Sequence, residues 1–279
     1  MNIILKEILN KLVKEKRREG APDFVIKNFL KEYLQYPVLD FIYNNPGYKN
    51  FIFTGGSCLR VCFGAPRLSE DLDFDLKQGD YKKFKISRLE KDLKGYFQEK
   101  FLINIETRIQ GNVRIYLKFP VLKELGLADK NESDLLYVKV EPNRSVFTRP
   151  KTELQPISGF GFNFIVQRYD PVFLMTGKLN AILTRQWFKG GENEINIKGR
   201  DFYDLYWYLE NKIKPDYKNL KKLVNLVDEI QLKKKLKEKI VKNITARKLS
   251  YDLKNFFPNQ NFINDFCKNY KKIMEKFLK

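Results

Sequence analysis

Residues 54–75 read TGGSCLRVCFGAPRLSEDLDFD, and the fold turns on what the last five of them become. Asp71, Asp73 and Asp75 stand two apart, with Leu72 and Phe74 between them. In a β-strand alternate side chains share a face, so the three carboxylates point one way and Leu72, Phe74 and Leu76 the other. A calcium loop of the EF-hand type also spaces acids by two. It needs Gly at its sixth position and Glu at its twelfth. Counting from Asp71, those positions hold Leu76 and Lys82. The segment is therefore a strand whose apolar side faces the core and whose acidic side lines a cleft. Neighbours on that side are about 6.5–7 Å apart along the backbone. A shared divalent cation would relieve their repulsion; a solvated edge strand with unrelated acids is the alternative.

The residues upstream favour the cation. NFIFT (50–54) reads as a short strand, Gly55-Gly56 as a turn, SCLRVCF (57–63) as a helical turn and GAPR (64–67) as a loop. Bare glycine backbone at such a strand-to-helix turn lets N–H groups approach phosphate oxygens, and Ser57 adds a hydroxyl. A phosphate cradle beside paired carboxylates is the equipment of phosphoryl or nucleotidyl transfer.

Composition narrows the chemistry further. The 279 residues contain no histidine, which removes Ser-His-Asp and Cys-His catalysis and imidazole-bound metals. Any metal is then oxygen-ligated and hard, of the Mg²⁺ type. Cys58, Cys62 and Cys267 are odd in number and fit buried small apolar residues better than a disulfide framework. No apolar run reaches the roughly 20 residues of a membrane span. The first segment, MNIILKEILNKLVKEKRREG, is amphipathic through Ile3, Ile4, Ile8 and Leu12 rather than a signal peptide, so a cytoplasmic protein is expected. The net charge of +19 points to a polyanionic partner, and residues 212–279 alone carry +12.

Along the chain, the first 45 residues read as two helices, the second opened by Asp23, ended by NNPG and kinked or broken at Pro37. YKKFKISRLEKDLKGYFQEKF (81–101) is helical by spacing. LINIETRIQ, NVRIYLKF and LLYVKVE extend the sheet, and residues 142–162 are expected to be irregular. PVFLMTGKLNAILTRQWF, GRDFYDLYWYLENKI and the lysine-rich remainder are helical. The expected fold class is α+β: a mixed sheet flanked by helices over residues 1–165, followed by a helical, lysine-rich domain over 166–279.

FTGGSCLRVCFGAPRLSEDLDFDL resembles the AbiEii/AbiGii-type toxins, a branch of the polymerase-β-like nucleotidyltransferases. The resemblance covers roughly residues 50–210 and implies a nucleotidyltransferase core. Carried over, it implies that Gly55, Gly56, Ser57, Arg67 and Ser69 bind nucleotide and that Asp71 and Asp73 ligate Mg²⁺. Two ions are implied, with Mn²⁺ as a substitute. Glu141, at the end of LLYVKVE, takes the place of a third carboxylate, with a surface or core-edge Glu as the alternative. Lys178 matches a helical lysine that reaches phosphates; a lysine snorkelling to solvent is its bland alternative. Arg200, Asp201 and Asp204 match an Arg/Lys-Asp-x-x-Asp segment. Asp201 also fits a helix N-terminal acid, and Asp204 is the less easily explained. Tyr203, Tyr206, Trp207 and Tyr208 read as helix core rather than a base-stacking platform. The function implied is NMP transfer from an NTP to an acceptor hydroxyl, with RNA or tRNA as the acceptor and a cognate antitoxin as partner. A small-molecule transferase, a non-catalytic RNA-binding relative and a phosphotransferase sharing the core are the rivals.

Overall fold

The structure, a computed structural model, describes residues 3–191 and 194–279. Of the expected first helix, Met1 and Asn2 lie outside the described residues. Two compact units divide the chain, Met1–Tyr169 and Asp170–Lys279.

In the first unit, helices α1 (Ile3–Arg18) and α2 (Asp23–Asn44) precede strand β1 (Ile52–Thr54), helix α3 (Gly55–Phe63) and strand β2 (Asp71–Leu76). Helices α4 (Gln78–Lys83) and α5 (Ile86–Phe101) follow, then β3 (Glu106–Gln110), β4 (Arg114–Pro120), β5 (Leu135–Arg144), β6 (Thr152–Gly159) and β7 (Phe162–Tyr169). The seven strands form one sheet in the order β3-β4-β5-β2-β1-β7-β6. β2 runs parallel to β5 and β1 parallel to β7, while the other neighbours are antiparallel, so the sheet is mixed.

The alternation of β2 is realised as expected: Leu72, Phe74 and Leu76 are buried, and Asp71, Asp73 and Asp75 lie on the other face. Phe74 stacks on Phe53 and meets Tyr43 and Phe51. Helix α2 packs on β7 and β5, and α5 on β3 and β4. In α5 the buried stripe Ile86, Leu89, Leu93 and Phe97 recurs at helical spacing. One acid joins the two helices: Asp40 accepts from Tyr96 Oη at 2.6 Å, Lys100 Nζ at 2.7 Å and Asn44 Nδ2 at 2.9 Å.

Two local expectations are corrected in part. Helix α2 runs unbroken through Pro37. An interior proline costs about 3 kcal/mol. The turns after it bury Val38, Leu39, Phe41 and Ile42, each worth about 1.5–3 kcal/mol, so tertiary packing outweighs the break. Residues 142–162 are irregular only over 145–151 and otherwise hold the end of β5 and all of β6. Pro142 sits beyond the last β4 pairing, and Pro156 lies on the edge strand, so both occupy positions a sheet tolerates. The β6–β7 hairpin closes with Phe160 and Gly161 both at positive φ, the geometry of a two-residue type I′ turn. Phe160 adopts it while its ring meets Tyr33 and Tyr36 edge-on.

The second unit is helical: α6 (Pro171–Thr184), α7 (Gly199–Glu210), α8 (Tyr217–Val224), α9 (Glu229–Asn243), α10 (Ala246–Leu253), a 3₁₀ turn (Lys254–Phe256) and α11 (Gln260–Glu275). Tyr203 and Tyr208 are buried, with Tyr203 against Phe257 and Phe266, which makes them core. Among the described residues no helix is long and apolar enough to cross a membrane.

Because Phe74 joins the acidic strand to the helical layer, Phe74→Ala should lower unfolding free energy by about 3–5 kcal/mol in urea denaturation. A loss below about 1 kcal/mol would mean that β2 does not anchor the core.

Candidate active site

β1 and β2 are antiparallel with Thr54 opposite Asp73, which brings the turn after β1 level with that carboxylate. Gly55 has φ +74°, and a Cβ there would collide with the Asp73 carboxylate. Glycine is thus required twice, for conformation and for space. At Gly56 a Cβ would strike the Arg67 guanidinium and lie 2.9 Å from Ser69 Oγ. Arg67 and Ser69 are both buried against this turn. Arg67 Nη1 also donates to the Leu68 carbonyl at 2.9 Å. The Ser57 hydroxyl is fully buried and donates to the Asp71 carbonyl, tying α3 to the start of β2.

The loop before β2 is fixed from α2. Gln35 Nε2 donates to the Ser69 carbonyl at 2.9 Å, and Lys31 pairs with Glu70 at 3.0 Å. Glu32 of the same helix pairs with Arg60 of α3 at 2.7 Å. The glycine turn and the acidic strand are therefore held by a common brace.

On the acidic face, parallel pairing sets Asp71 opposite Lys139 and Asp73 opposite Glu141. Lys139 Nζ lies 2.9 Å from Asp71 Oδ2 and 3.2 Å from Glu141 Oε2. Arg114 of β4 reaches Glu141 from the other side at 3.4 Å. Burial works against the Lys139 charge, but Asp71, Glu141 and Asp73 outweigh it and raise its pKa.

The third aspartate of the repeat is set apart. Asp75 accepts from Tyr169 Oη at 2.7 Å, and that hydroxyl is itself 2.8 Å from Ser145 Oγ. Burial, with a contribution from the Asp73 charge, pushes the Asp75 carboxyl up to about 6 despite the Tyr169 hydrogen bond. The apparent triad thus divides into a pair, Asp71 and Asp73, and one carboxyl engaged by its own hydroxyl.

Among the described residues no group of three or more His, Cys, Asp or Glu side chains converges to hold a metal ion. Mg²⁺ commonly takes one or two carboxylates and completes its shell with water and substrate phosphate. Two oxygen-only donors on one strand face, beside a turn stripped of Cβ atoms, match that requirement in donor chemistry.

The remaining expected residues gather within the helical unit. Lys178 of α6 lies 2.8 Å from Asp201 and 2.8 Å from Asp204 of α7, and Arg185 lies 2.7 Å from Asp201. Burial alone would raise the Asp201 carboxyl. The charges of Lys178, Arg185 and Lys198 outweigh burial and hold it well below the usual carboxylate range. Arg200 pairs with Asp252 of α10 at 3.3 Å, and its guanidinium lies 4.1 Å from the Phe256 ring centre. Lys139, Arg114, Tyr169 and Arg185 carry no motif of their own. Of these only Lys139 had a readable signal, its place two residues before Glu141 on one strand face.

Comparison with known proteins adds a family. The family described as Nucleotidyl transferase AbiEii toxin, Type IV TA system, matches residues 39–279. No curated protein matches the sequence. Among solved structures, one presented as a candidate nucleotidyltransferase from H. pylori is 15% identical, covering 88% of this chain and 94% of that chain at a TM-score of 0.44. JHP933 from Helicobacter pylori is 16% identical, covering 88% of this chain and 91% of that chain at a TM-score of 0.47.

Lys178→Met should lower stability at pH 7 by about 3–5 kcal/mol, because it removes the ammonium that pairs with both buried carboxylates, Asp201 and Asp204. The sign with pH follows from the depressed Asp201 value. In the wild type that contribution is complete above the unfolded carboxylate range near pH 4 and fades as pH falls through the lower folded value. In the variant, protonation at low pH removes the carboxylate charge that has lost the Lys178 ammonium. The difference between the two proteins should therefore shrink on acidification. A pH-independent difference in urea unfolding would contradict the ion-pair account.

Proposed function

Because the chain belongs to the AbiEii family of nucleotidyl transferase toxins of type IV toxin–antitoxin systems, we propose that it moves a nucleoside monophosphate from an NTP to a hydroxyl of RNA in the cytoplasm, with Mg²⁺ and with pyrophosphate as the leaving group. The observation that carries this reading is the placement of Asp73 against Gly55, with Arg67 and Ser69 packed on Gly56. Family membership brings with it a nucleotide substrate and a cognate antitoxin.

In this reading Asp71 and Asp73 hold Mg²⁺, on the donor chemistry above. When bound, the ion supplies charge neutralisation for the triphosphate and acidifies the attacking oxygen. The turn at Gly55-Gly56 opens α3, whose first backbone N–H groups and dipole favour a phosphate at that end. Arg67 and Ser69 shape the turn rather than reach outward, since both are buried against Gly56. Ser57 fastens the turn to β2 through the Asp71 carbonyl. Glu141 pairs with Lys139 and Arg114, in register with Asp73. Lys178, which the resemblance assigns to phosphate, is engaged within the helical unit by Asp201 and Asp204. Arg200, held by Asp252, belongs to the same basic group.

An RNA acceptor is supported by charge. Residues 212–279 carry a net +12, and α9 exposes Lys234, Lys235, Lys237 and Lys242. Backbone phosphates dominate affinity for such surfaces.

The test is to incubate the purified protein with Mg²⁺, labelled NTPs and a mixture of cellular RNA, protein and metabolites. Label should enter RNA, and Asp71→Asn or Asp73→Asn should each abolish it while circular dichroism stays native. Label on a metabolite would replace RNA by a small acceptor. Release of nucleoside diphosphate would make the protein a phosphotransferase. Full labelling by either variant would refute the assignment of the two aspartates.

A further inference from the structure

On the acidic face of the sheet, Lys139 stands between two carboxylates of neighbouring strands. Its Nζ lies 2.9 Å from Asp71 Oδ2 and 3.2 Å from Glu141 Oε2. The side chains of Lys139, Asp71 and Glu141 are only 20%, 21% and 17% exposed, so water screens these pairs less than it would on an open surface. Among the described residues Lys139 is the one ion-pair partner of Asp71. Glu141 is different, because Arg114 of β4 faces it as well. Arg114 Nη2 lies 3.4 Å from Glu141 Oε1 and Nε 3.4 Å from Oε2. That is a side-on fork held open beyond the about 2.7–2.9 Å of a charge-assisted hydrogen bond. The Arg114 Nε is buried and donates no hydrogen bond. Glu141 Oε2 is thus shared by two cations, and Arg114 Nε is the donor left unsatisfied.

A buried donor without an acceptor is costly, and Glu141 would satisfy it by turning wholly onto Arg114 as a closed fork. Lys139 can therefore leave Glu141 without stranding it. Asp71 has no such second cation. A divalent cation at Asp71 would take a carboxylate oxygen at about 2.0–2.1 Å and set two positive charges beside an ammonium held by the same group. Repulsion at that range makes cation and ammonium competitors rather than neighbours.

We propose that Lys139 is the resident counter-ion of the cation seat: it gives up Asp71 when a divalent cation loads, and Arg114 then holds Glu141 alone. Lys139 is thereby a positioning residue that sets how tightly the seat takes its cation, not a ligand of it. The proposal rests on the reading of Asp71 and Asp73 as that seat. The exchange itself rests on the shared Glu141 oxygen and the unsatisfied Arg114 nitrogen.

The full-length protein is titrated with Mn²⁺ alone, without nucleotide, and the free ion is counted by its electron paramagnetic resonance signal. Lys139→Met should bind Mn²⁺ about tenfold tighter than the wild type, through loss of one competing charge-assisted contact. Lys139→Gln, which keeps a hydrogen-bond donor without the charge, should also tighten binding and serves if the Met variant does not fold. Lys118→Met removes a charge from the same sheet face, but Lys118 pairs with Glu106, so its loss should leave the affinity unchanged. Equal or weaker binding by natively folded Lys139 variants would overturn the proposal. So would equal tightening by Lys118→Met, which would reduce the effect to net charge. The Asp71→Asn/Asp73→Asn protein should lose Mn²⁺ binding. Wild-type affinity in that protein would remove the seat, and this proposal with it. Its loss there with no response to Lys139 would leave the seat standing and remove this proposal alone.

Discussion

Everything else in the first unit is arranged around the repulsion between carboxylates on one face of β2 and β5. Like charges on adjacent strand positions destabilise a sheet, more so where water is partly excluded. Lys139 relieves this by standing between Asp71 and Glu141, and Arg114 supports Glu141 from β4. Asp75 is handled differently, by burial, a raised carboxyl pKa and the Tyr169 hydroxyl. The strand accepts these charges because its other face is fixed by Phe74 among Tyr43, Phe51 and Phe53. A polar face is thus held on an apolar anchor, with the glycine turn pressed against Asp73.

The helical unit solves a related problem with the signs exchanged. There the carboxylates Asp201 and Asp204 are buried and the cations outnumber them. Burial alone would neutralise Asp201, yet three neighbouring cations keep it charged. Such a cluster is costly to build and is a weak source of stability compared with apolar packing.

What could be read from the chain followed the strength of its periodicity. The alternation in DLDFDL was unambiguous because the residues on its two sides differ so completely. The glycine pair was equally legible, since Gly55 combines a positive φ with a close carboxylate and a Cβ at Gly56 would strike the Arg67 guanidinium. Pro37 misled because a local rule was outweighed by burial on both sides of the helix. β6 was missed because TELQPISG buries only Ile157 among its residues and carries a proline that an edge strand tolerates. The partition of the aspartates was out of reach: Asp75 meets Tyr169 94 residues away, and only strand order makes them neighbours. The same holds for Arg114 and Glu141, joined through the β4–β5 pairing. Sequence patterns declare faces; which faces meet is decided by topology.

The central claim is that Asp71 and Asp73 form a seat for a divalent cation beside the glycine turn. Calorimetric titration of Mg²⁺ into the protein with a non-hydrolysable NTP analogue tests it most directly. The account predicts saturable binding by the wild type and its loss in the Asp71→Asn/Asp73→Asn protein, with Asp75→Asn retaining it. Equal Mg²⁺ affinity in the wild type and the double variant would contradict the account.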